Sequence, residues 1–338
     1  MNGEPQQQIT EDAPIPPKNQ KNSSLSISIF ASAILLAVAW IYTAGLKSLN
    51  NENGTASVLT SSQSVSALEE AVLPQKGVVL PVRWGDLGIK LTSTGVIDRQ
   101  AFDALYEGRG GLTNDERKLL ETNNSEPLTI TNENSGFLLN LFWALGLGTK
   151  NNILEKGPMT DPRYGGAGNF ASTGGWTLAT GGAMSHYSQH PFITLTGEQQ
   201  AMVERVSKNI YRPCCNNATY FPDCNHGMAM LGLLELMASQ GVSETEMYAT
   251  ALRVNAYWFP DTYFTIATYM KNKGVDWKNV NPKEMLGAAY SSATGYANIA
   301  SQVVRPGEQR GGNGCGVDAG APAPAPVSSP HAQPGCGT

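Results

Sequence analysis

The sequence predicts a mainly α protein, with a single N-terminal transmembrane helix followed by a helical globular domain that carries long Gly-rich loops. Three observations support this fold class. A charge-free apolar stretch of membrane-spanning length lies near the N-terminus. Helical hydrophobic spacing and capping patterns recur through the middle of the chain, whereas strand patterns there are few and short.

The transmembrane prediction rests on residues 25–46, because no charge occurs between Lys21 and Lys47. Roughly 20 helical residues span a hydrocarbon core of ~30 Å. A cleaved signal peptide is the alternative, but the apolar run exceeds the usual ~7–15 residues and a long polar segment precedes it. Lys18 and Lys21 precede the span and only Lys47 follows closely, so we expect a single-pass cell-membrane protein with a cytoplasmic N-terminus. The main domain is then periplasmic or extracellular.

Composition divides the chain into five segments. We predict a disordered N-terminal tail (1–24), the transmembrane helix (25–46), a polar linker (47–76), a globular helical domain (77–304) and a Gly/Ala/Pro-rich disordered tail with two cysteines (305–338). The net charge of −5 and the absence of a long basic run argue against a nucleic-acid binder. We therefore expect the membrane as a partner and no nucleic acid.

Within the domain, apolar periodicity and capping residues predict a series of helices. They cover residues 97–106, 114–121, 135–145, 196–210, 228–239, 243–257, 261–271 and 282–290, with a weaker helical patch at 66–72. Short strands are predicted at 77–82 and 128–131. Residues 157–194 are rich in glycine and are expected to form a long irregular segment.

The strongest functional signal is the stretch from Cys214 to Met228, which holds three of the chain's five cysteines and one of its four histidines. Thiolate and imidazole bind soft and borderline metal ions. We therefore predict a copper(I) or zinc site formed by Cys214, Cys215, Cys224 and His226. Adjacent cysteines are unusual for structural zinc sites, whereas copper(I) accepts low-coordinate thiolate geometry, and Met228 is a soft additional ligand.

Two further histidines are secondary candidates for the metal site. His186 and His190 lie four residues apart, so a local helix would present both side chains on one face. Such pairs are also common among ordinary surface and core histidines.

Two other interpretations of the cysteine stretch remain open. A thiol-dependent enzyme or oxidoreductase would use Cys224 near a helix N-terminus, with His226 as base and Asp223 orienting it, or would use the Cys214–Cys215 pair. A disulfide-stapled cell-envelope interaction module would instead join Cys224 to Cys214 or Cys215. No catalytic residue is assigned from the sequence. Glu235, an acid within an apolar helix, is expected at the surface.

Overall fold

The protein is described by a computed structural model that covers residues 65–303. The predicted N-terminal tail, the transmembrane helix, most of the linker and the C-terminal tail with Cys315 and Cys336 lie outside the described residues. Among residues 65–303, no helix is both long and apolar enough to span a bilayer. The predicted membrane span at 25–46 therefore stays a prediction.

The described region is mostly helical, as predicted, and contains fourteen α-helices and a two-stranded sheet. The elements are α1 (residues 65–72), β1 (Val78–Gly85), α2 (Leu87–Ser93), α3 (Arg99–Glu107), α4 (Asn114–Glu121), β2 (Asn124–Ile130), α5 (Ser135–Gly148), α6 (Asn152–Lys156), α7 (Ala171–Gly174), α8 (Gly197–Ser207), α9 (Asn225–Ser239), α10 (Glu244–Trp258), α11 (Pro260–Asn272), α12 (Pro282–Met285), α13 (Ala288–Ser291) and α14 (Ala293–Ala300).

The helix starts follow the predicted capping residues. Asp98 accepts a hydrogen bond from Ala101 N–H, and Thr196 forms a complete capping box with Gln199. Ser243 accepts from Glu246 N–H in the same way at the start of α10. These side chains satisfy backbone N–H groups that have no partner inside the helix, which is why they mark the starts in the sequence.

The centre of the core is the pair α5 and α9, both buried along nearly their whole length. The two helices approach closely at glycines. A Cβ on Gly146 would lie 2.2 Å from Met228 O, and one on Gly232 would lie 2.4 Å from Phe142 O. This contact fixes α9 in the middle of the domain, so residues at its N-terminus are held by a rigid, buried element.

The predicted strands pair with each other. β1 and β2 are antiparallel, with Val78 opposite Ile130 and Gly85 opposite Asn124. The Trp84 indole at the end of β1 is buried and donates its N–H to Leu119 O. This small sheet lies beside the helical core.

The glycine-rich segment is largely irregular, as predicted. It contains short 3₁₀ turns at Pro158–Thr160, Pro162–Tyr164, Ala167–Asn169 and Ala183–Ser185, together with the single turn α7. Phe170 and Trp176 are buried in the core, so the segment is packed rather than free of the domain.

Several sequence predictions need correction. α9 begins at Asn225, three residues before the predicted Met228, because Cys224 caps it. The helix predicted at 282–290 is two short helices separated at Gly287, whose backbone is extended. Glu235 is fully buried rather than exposed. Helices α2 and α14 were not predicted, since each is too short to show clear periodicity.

Candidate metal centre

Two elements bring the predicted ligands together, and the first is a short hairpin. Tyr211 and Ala218 form an isolated antiparallel bridge, and Thr219 donates both its N–H and its hydroxyl to Ile210 O. Residues 212–217 form the turn between them. Cys214 and Cys215 lie in this turn, so the hairpin projects both sulfurs from one small loop.

The second element is the N-terminus of α9. Cys224 is its N-cap residue, and the Cys224 sulfur accepts a hydrogen bond from Gly227 N–H at 3.4 Å. His226 lies in the first turn of the same helix. A helix N-terminus favours a negative charge, so this position suits a thiolate.

Arg212 connects the hairpin to the helix from a fully buried position. Its guanidinium donates to Asn217 O at 2.8 Å and to Asp223 Oδ1 at 2.6 Å, and one nitrogen lies 3.5 Å from Cys224 Sγ. Asn217 also donates its side-chain N–H to Asp223 Oδ2 at 2.6 Å. A buried charge is tolerated only when it is paired in this way.

Neighbouring segments hold the hairpin from outside. Ala293 N–H donates to Cys215 O, and Asn216 Oδ1 accepts from both the N–H and the hydroxyl of Thr294 at the start of α14. On the other side, Ser172 N–H donates to Asp223 O. The glycine-rich segment thus reaches the site loop by a direct backbone contact.

An aromatic cluster strengthens the same contact. Phe221, just before Asp223, packs edge-on against Phe170 at 5.3 Å between ring centroids, and Tyr164 lies 5.4 Å from Phe221. Such aromatic contacts stabilise beyond their buried area. The irregular glycine-rich segment therefore has a definite role, which is to cover one side of the cysteine loop.

The three sulfurs lie in direct contact. Cys214 Sγ is 3.3 Å from Cys215 Sγ and 3.5 Å from Cys224 Sγ, and none of the three described cysteines forms a disulfide. The pKa of Cys224 is lowered well below its ordinary value by hydrogen bonds from Cys214 and Cys215, with further contributions from the Arg212 charge and from His226. Among the three sulfurs, Cys224 is therefore the most favourable position for a thiolate.

The surroundings disfavour ionisation of the other two thiols. Hydrogen bonds to Cys215 and Cys224, together with burial, raise the pKa of Cys214 well above its ordinary value. The pKa of Cys215 rises to about 12. Its hydrogen bond with Cys214 opposes this rise, whereas its interaction with Cys224 and its burial cause it. Metal binding must displace such protons before the sulfurs can act as ligands.

His226 is fully buried, and neither of its ring nitrogens has a partner at hydrogen-bond geometry, although its interaction with the Cys224 sulfur helps to lower the pKa of Cys224. Its ring lies 4.3 Å from Phe259 and 5.8 Å from Trp258, measured between centroids. Burying an imidazole without a partner costs free energy. The neighbouring sulfurs mark the place where a missing partner could bind, since one His226 nitrogen lies within 4.8 Å of both Cys214 Sγ and Cys224 Sγ.

Two groups of three potential ligands occur in the described region. Cys214, Cys224 and His226 form one, and Cys215, Asp223 and Cys224 form the other, each with its atoms within 4.8 Å of one another. In the second group, the Arg212 guanidinium already contacts both Asp223 and Cys224. The first group therefore offers the better place for an added cation.

The two earlier histidines bind each other and belong to neither group. His186 Nε2 lies 3.0 Å from Thr180 O, and because a carbonyl only accepts, this nitrogen donates. His186 Nδ1 then accepts from His190 Nε2 at 3.1 Å. Burial and the neighbouring His186 lower the pKa of His190. Both nitrogens of His186 are thus engaged without any metal.

Met228 is fully buried in the hydrophobic core of the domain, at the crossing of α9 and α5. Its proposed part as an additional soft ligand stays a prediction.

Arg212 belongs to the site, although its place there was not predicted from the sequence. Arg212 pairs with Asp223, whereas the buried Glu235 accepts a hydrogen bond from Asn151. Asp223 does not orient His226. The available signal for Arg212 was its place two residues before the adjacent cysteines.

No family model, no curated protein and no solved structure matches this chain.

Proposed function

We propose that this protein binds one copper(I) or zinc ion through Cys214, Cys224 and His226. The observation that carries the proposal is the His226 imidazole, which is fully buried, has no hydrogen-bond partner and lies within 4.8 Å of two sulfurs. A bound cation would satisfy the imidazole and replace the thiol protons. Thiolate and imidazole are the donors that copper(I) and zinc prefer.

The spacing of the donors supports this assignment. Zinc–sulfur and zinc–nitrogen bonds of about 2.3 and 2.0 Å place ligand atoms roughly 3.5–3.8 Å apart around a tetrahedral ion. Cys214 Sγ and Cys224 Sγ are already 3.5 Å apart. Cys215, with its sulfur 3.3 Å from that of Cys214, is available as a further thiolate.

The surrounding groups suit a negatively charged ligand set. Arg212 and Gly227 N–H both contact Cys224 Sγ, so they stabilise its thiolate whether or not a metal is bound. Hydrogen bonds of this kind orient metal ligands and tune the site. Metal handling, meaning sequestration, delivery or sensing, fits this largely buried site better than catalysis does.

We also propose that the domain is held outside the cytoplasm by a single-pass anchor at residues 25–46. The support is the charge-free apolar run and the lysines that precede it. Extraction of membranes at alkaline pH tests the anchor, since an integral protein stays in the pellet. Protease digestion of intact cells or spheroplasts then tests the orientation, which is wrong if the domain is protected until the membrane is opened.

Elemental analysis tests the metal proposal. The full-length protein, purified in mild detergent without chelator, is compared with a variant carrying Cys214→Ser and Cys224→Ser. Both are made in a background with Cys315→Ser and Cys336→Ser, so that the tail thiols cannot contribute metal. We expect near-stoichiometric copper or zinc that is lost in the double variant. Absence of metal from reduced protein, even after loading with copper(I) or zinc, would refute the proposal.

A further inference from the structure

The backbone geometry favours one of the two possible disulfides of Cys214 over the other. Cys214 Sγ lies 3.3 Å from Cys215 Sγ and 3.5 Å from Cys224 Sγ, so the distances alone do not choose between the two. The Cα atoms of adjacent residues are about 3.8 Å apart, which is below the ~4.4–6.8 Å that is usual for disulfides, so a bridge between Cys214 and Cys215 would be strained. Cys224 comes ten residues after Cys214 and approaches it across the hairpin, so it is free of this restriction.

We propose that Cys214 and Cys224 form a reversible thiol–disulfide couple that reacts with disulfides and that empties the metal site when it is oxidised. The evidence for the couple is the contact between the Cys214 and Cys224 sulfurs and their separation along the chain. The loss of metal on oxidation rests on the proposed function. Cys215, although it touches Cys214, takes no part in the disulfide.

Burial sets the order of the two steps. Cys214 is partly exposed, whereas Cys224 is fully buried and Cys215 is 7% exposed. An incoming disulfide therefore meets Cys214 first. The Cys214 proton passes to the Cys224 sulfur, 3.5 Å away, as Cys214 Sγ bonds to one sulfur of the reagent; the S–S bond of the reagent breaks, and the departing thiolate takes that proton and leaves as a thiol. Cys224 Sγ then attacks Cys214 Sγ, which closes the internal disulfide and releases the second thiol. One released thiol carries the Cys214 hydrogen, and the other leaves as a thiolate that takes a proton from water, because Cys224 attacks as a thiolate. The reagent is thus reduced by two electrons while the two cysteines are oxidised.

Oxidation and metal binding exclude each other. The same two sulfurs are ligands of the proposed ion, and a disulfide sulfur is no longer a thiolate donor. The internal disulfide would leave His226 as the remaining member of its ligand group. A bound ion would in turn occupy Cys214 and slow its attack on a disulfide.

The test uses oxidised glutathione and the full-length protein in the background without tail cysteines. Metal-free and metal-loaded samples are incubated with the reagent and alkylated, after which peptide mass spectrometry maps the linkage and elemental analysis measures the metal. We expect loss of two titratable thiols, a Cys214–Cys224 linkage and an alkylated Cys215. We also expect slower reaction of the loaded sample and loss of its metal as the disulfide forms.

Matched variants separate the steps. Cys224→Ala should accumulate a glutathione adduct on Cys214, because the second step is lost. Cys215→Ala should form the same disulfide as the unsubstituted protein. A Cys214–Cys215 linkage, an adduct first on Cys224, or no linkage at all would each overturn the couple. If a variant does not fold, the linkage map of the protein with all three cysteines still decides.

The two proposals fail in different ways. Reduced protein that binds no metal refutes the metal site and with it the emptying of that site, but the linkage map decides the couple on its own. Metal that remains stoichiometric in fully oxidised protein refutes only the redox control.

Discussion

The Arg212 guanidinium, buried completely, lies 3.5 Å from the sulfur of Cys224, the residue that caps α9. A Cβ at Gly227 would lie 2.8 Å from Arg212 Cζ, so the guanidinium reaches the sulfur only because position 227 has no side chain. Four structural predictions follow from the contacts around Arg212 and Cys224 and from the buried carboxyl group of Glu235.

Replacing Arg212 with methionine removes the buried positive charge. Asp223 would lose its ion pair while only 15% of its side chain is exposed, so we expect a loss of about 3–5 kcal/mol in the free energy of unfolding. The pKa of Cys224 should rise, because the Arg212 charge contributes to lowering it. Chemical denaturation and a pH titration of thiolate absorbance measure the two effects.

Arg205→Met is the matched control for this change. Arg205 forms an exposed ion pair with Glu244 at 3.0 Å, and such pairs contribute less than ~1 kcal/mol. Equal losses for the two arginine variants, or an unchanged titration of Cys224, would show that the buried ion pair does not support the thiolate.

Gly227→Ala tests the close approach. The added methyl group would overlap Arg212, whose side chain is confined by its hydrogen bonds, so we expect destabilisation of about 1–3 kcal/mol and weaker metal binding. Gly197, in the first turn of α8, has open space where a Cβ would be built. Gly197→Ala should therefore be neutral or slightly stabilising, and a similar cost at both glycines would argue against the steric explanation.

His226→Leu separates function from stability. The imidazole is buried without a partner, so its removal should leave the metal-free protein as stable as before or about 1 kcal/mol more stable. The variant should, however, lose the increase in melting temperature that the metal gives to the unsubstituted protein. Thermal unfolding with and without metal measures both quantities.

The control for this change is His186→Leu. His186 binds Thr180 O and His190, so its loss should cost the metal-free protein about 1–3 kcal/mol and leave metal binding intact. If metal binding followed His186 rather than His226, the assignment of the ligand group would be wrong.

Glu235 gives a pH-dependent prediction. Glu235 is fully buried, and one of its carboxyl oxygens has no hydrogen-bond partner. Burial raises the pKa of Glu235 well above its ordinary value, although the hydrogen bond from Asn151 acts to lower it. Between the unfolded and folded pKa values the unfolded chain binds fewer protons, so this residue lowers stability as the pH rises through that window.

Glu235→Gln removes this dependence of stability on pH because the glutamine side chain stays neutral. We expect the variant to be more stable than the unsubstituted protein at neutral pH, with the difference shrinking as the pH falls toward the unfolded pKa near ~4.3. Unfolding curves at several pH values measure this difference in stability, and Glu107→Gln, at an exposed position, is the matched control. A difference that grows as the pH falls would contradict the assigned direction.

The fold was predictable where its signals are local. Asp98, Thr196 and Ser243 each cap a helix by accepting from the backbone N–H three positions later, so the sequence alone locates these starts. The start of α9 was missed because its cap is a cysteine, which the usual capping preferences do not include. The apolar periodicity begins only at Met228, and the first turn is held by the Cys224 sulfur instead.

The candidate site was predictable in part for the same reason. Cys214, Cys224 and His226 lie within thirteen residues, so their clustering is visible in the sequence and the structure brings them together. Arg212 was missed as a member because an arginine is usually exposed. Its burial depends on the hairpin closed by Tyr211 and Ala218, which shows no strand pattern.

The sequence by itself determined the helical class, the capped helix starts and the chemical types of the site: three thiols and one imidazole in a single short stretch. Only the tertiary structure decided that His226 has no partner, that Arg212 is paired beside Cys224, and that Glu235 is buried against Asn151. The physical reason is that capping and donor type are set by near neighbours along the chain. Burial and the pairing of a polar atom are set by whatever other segments cover it.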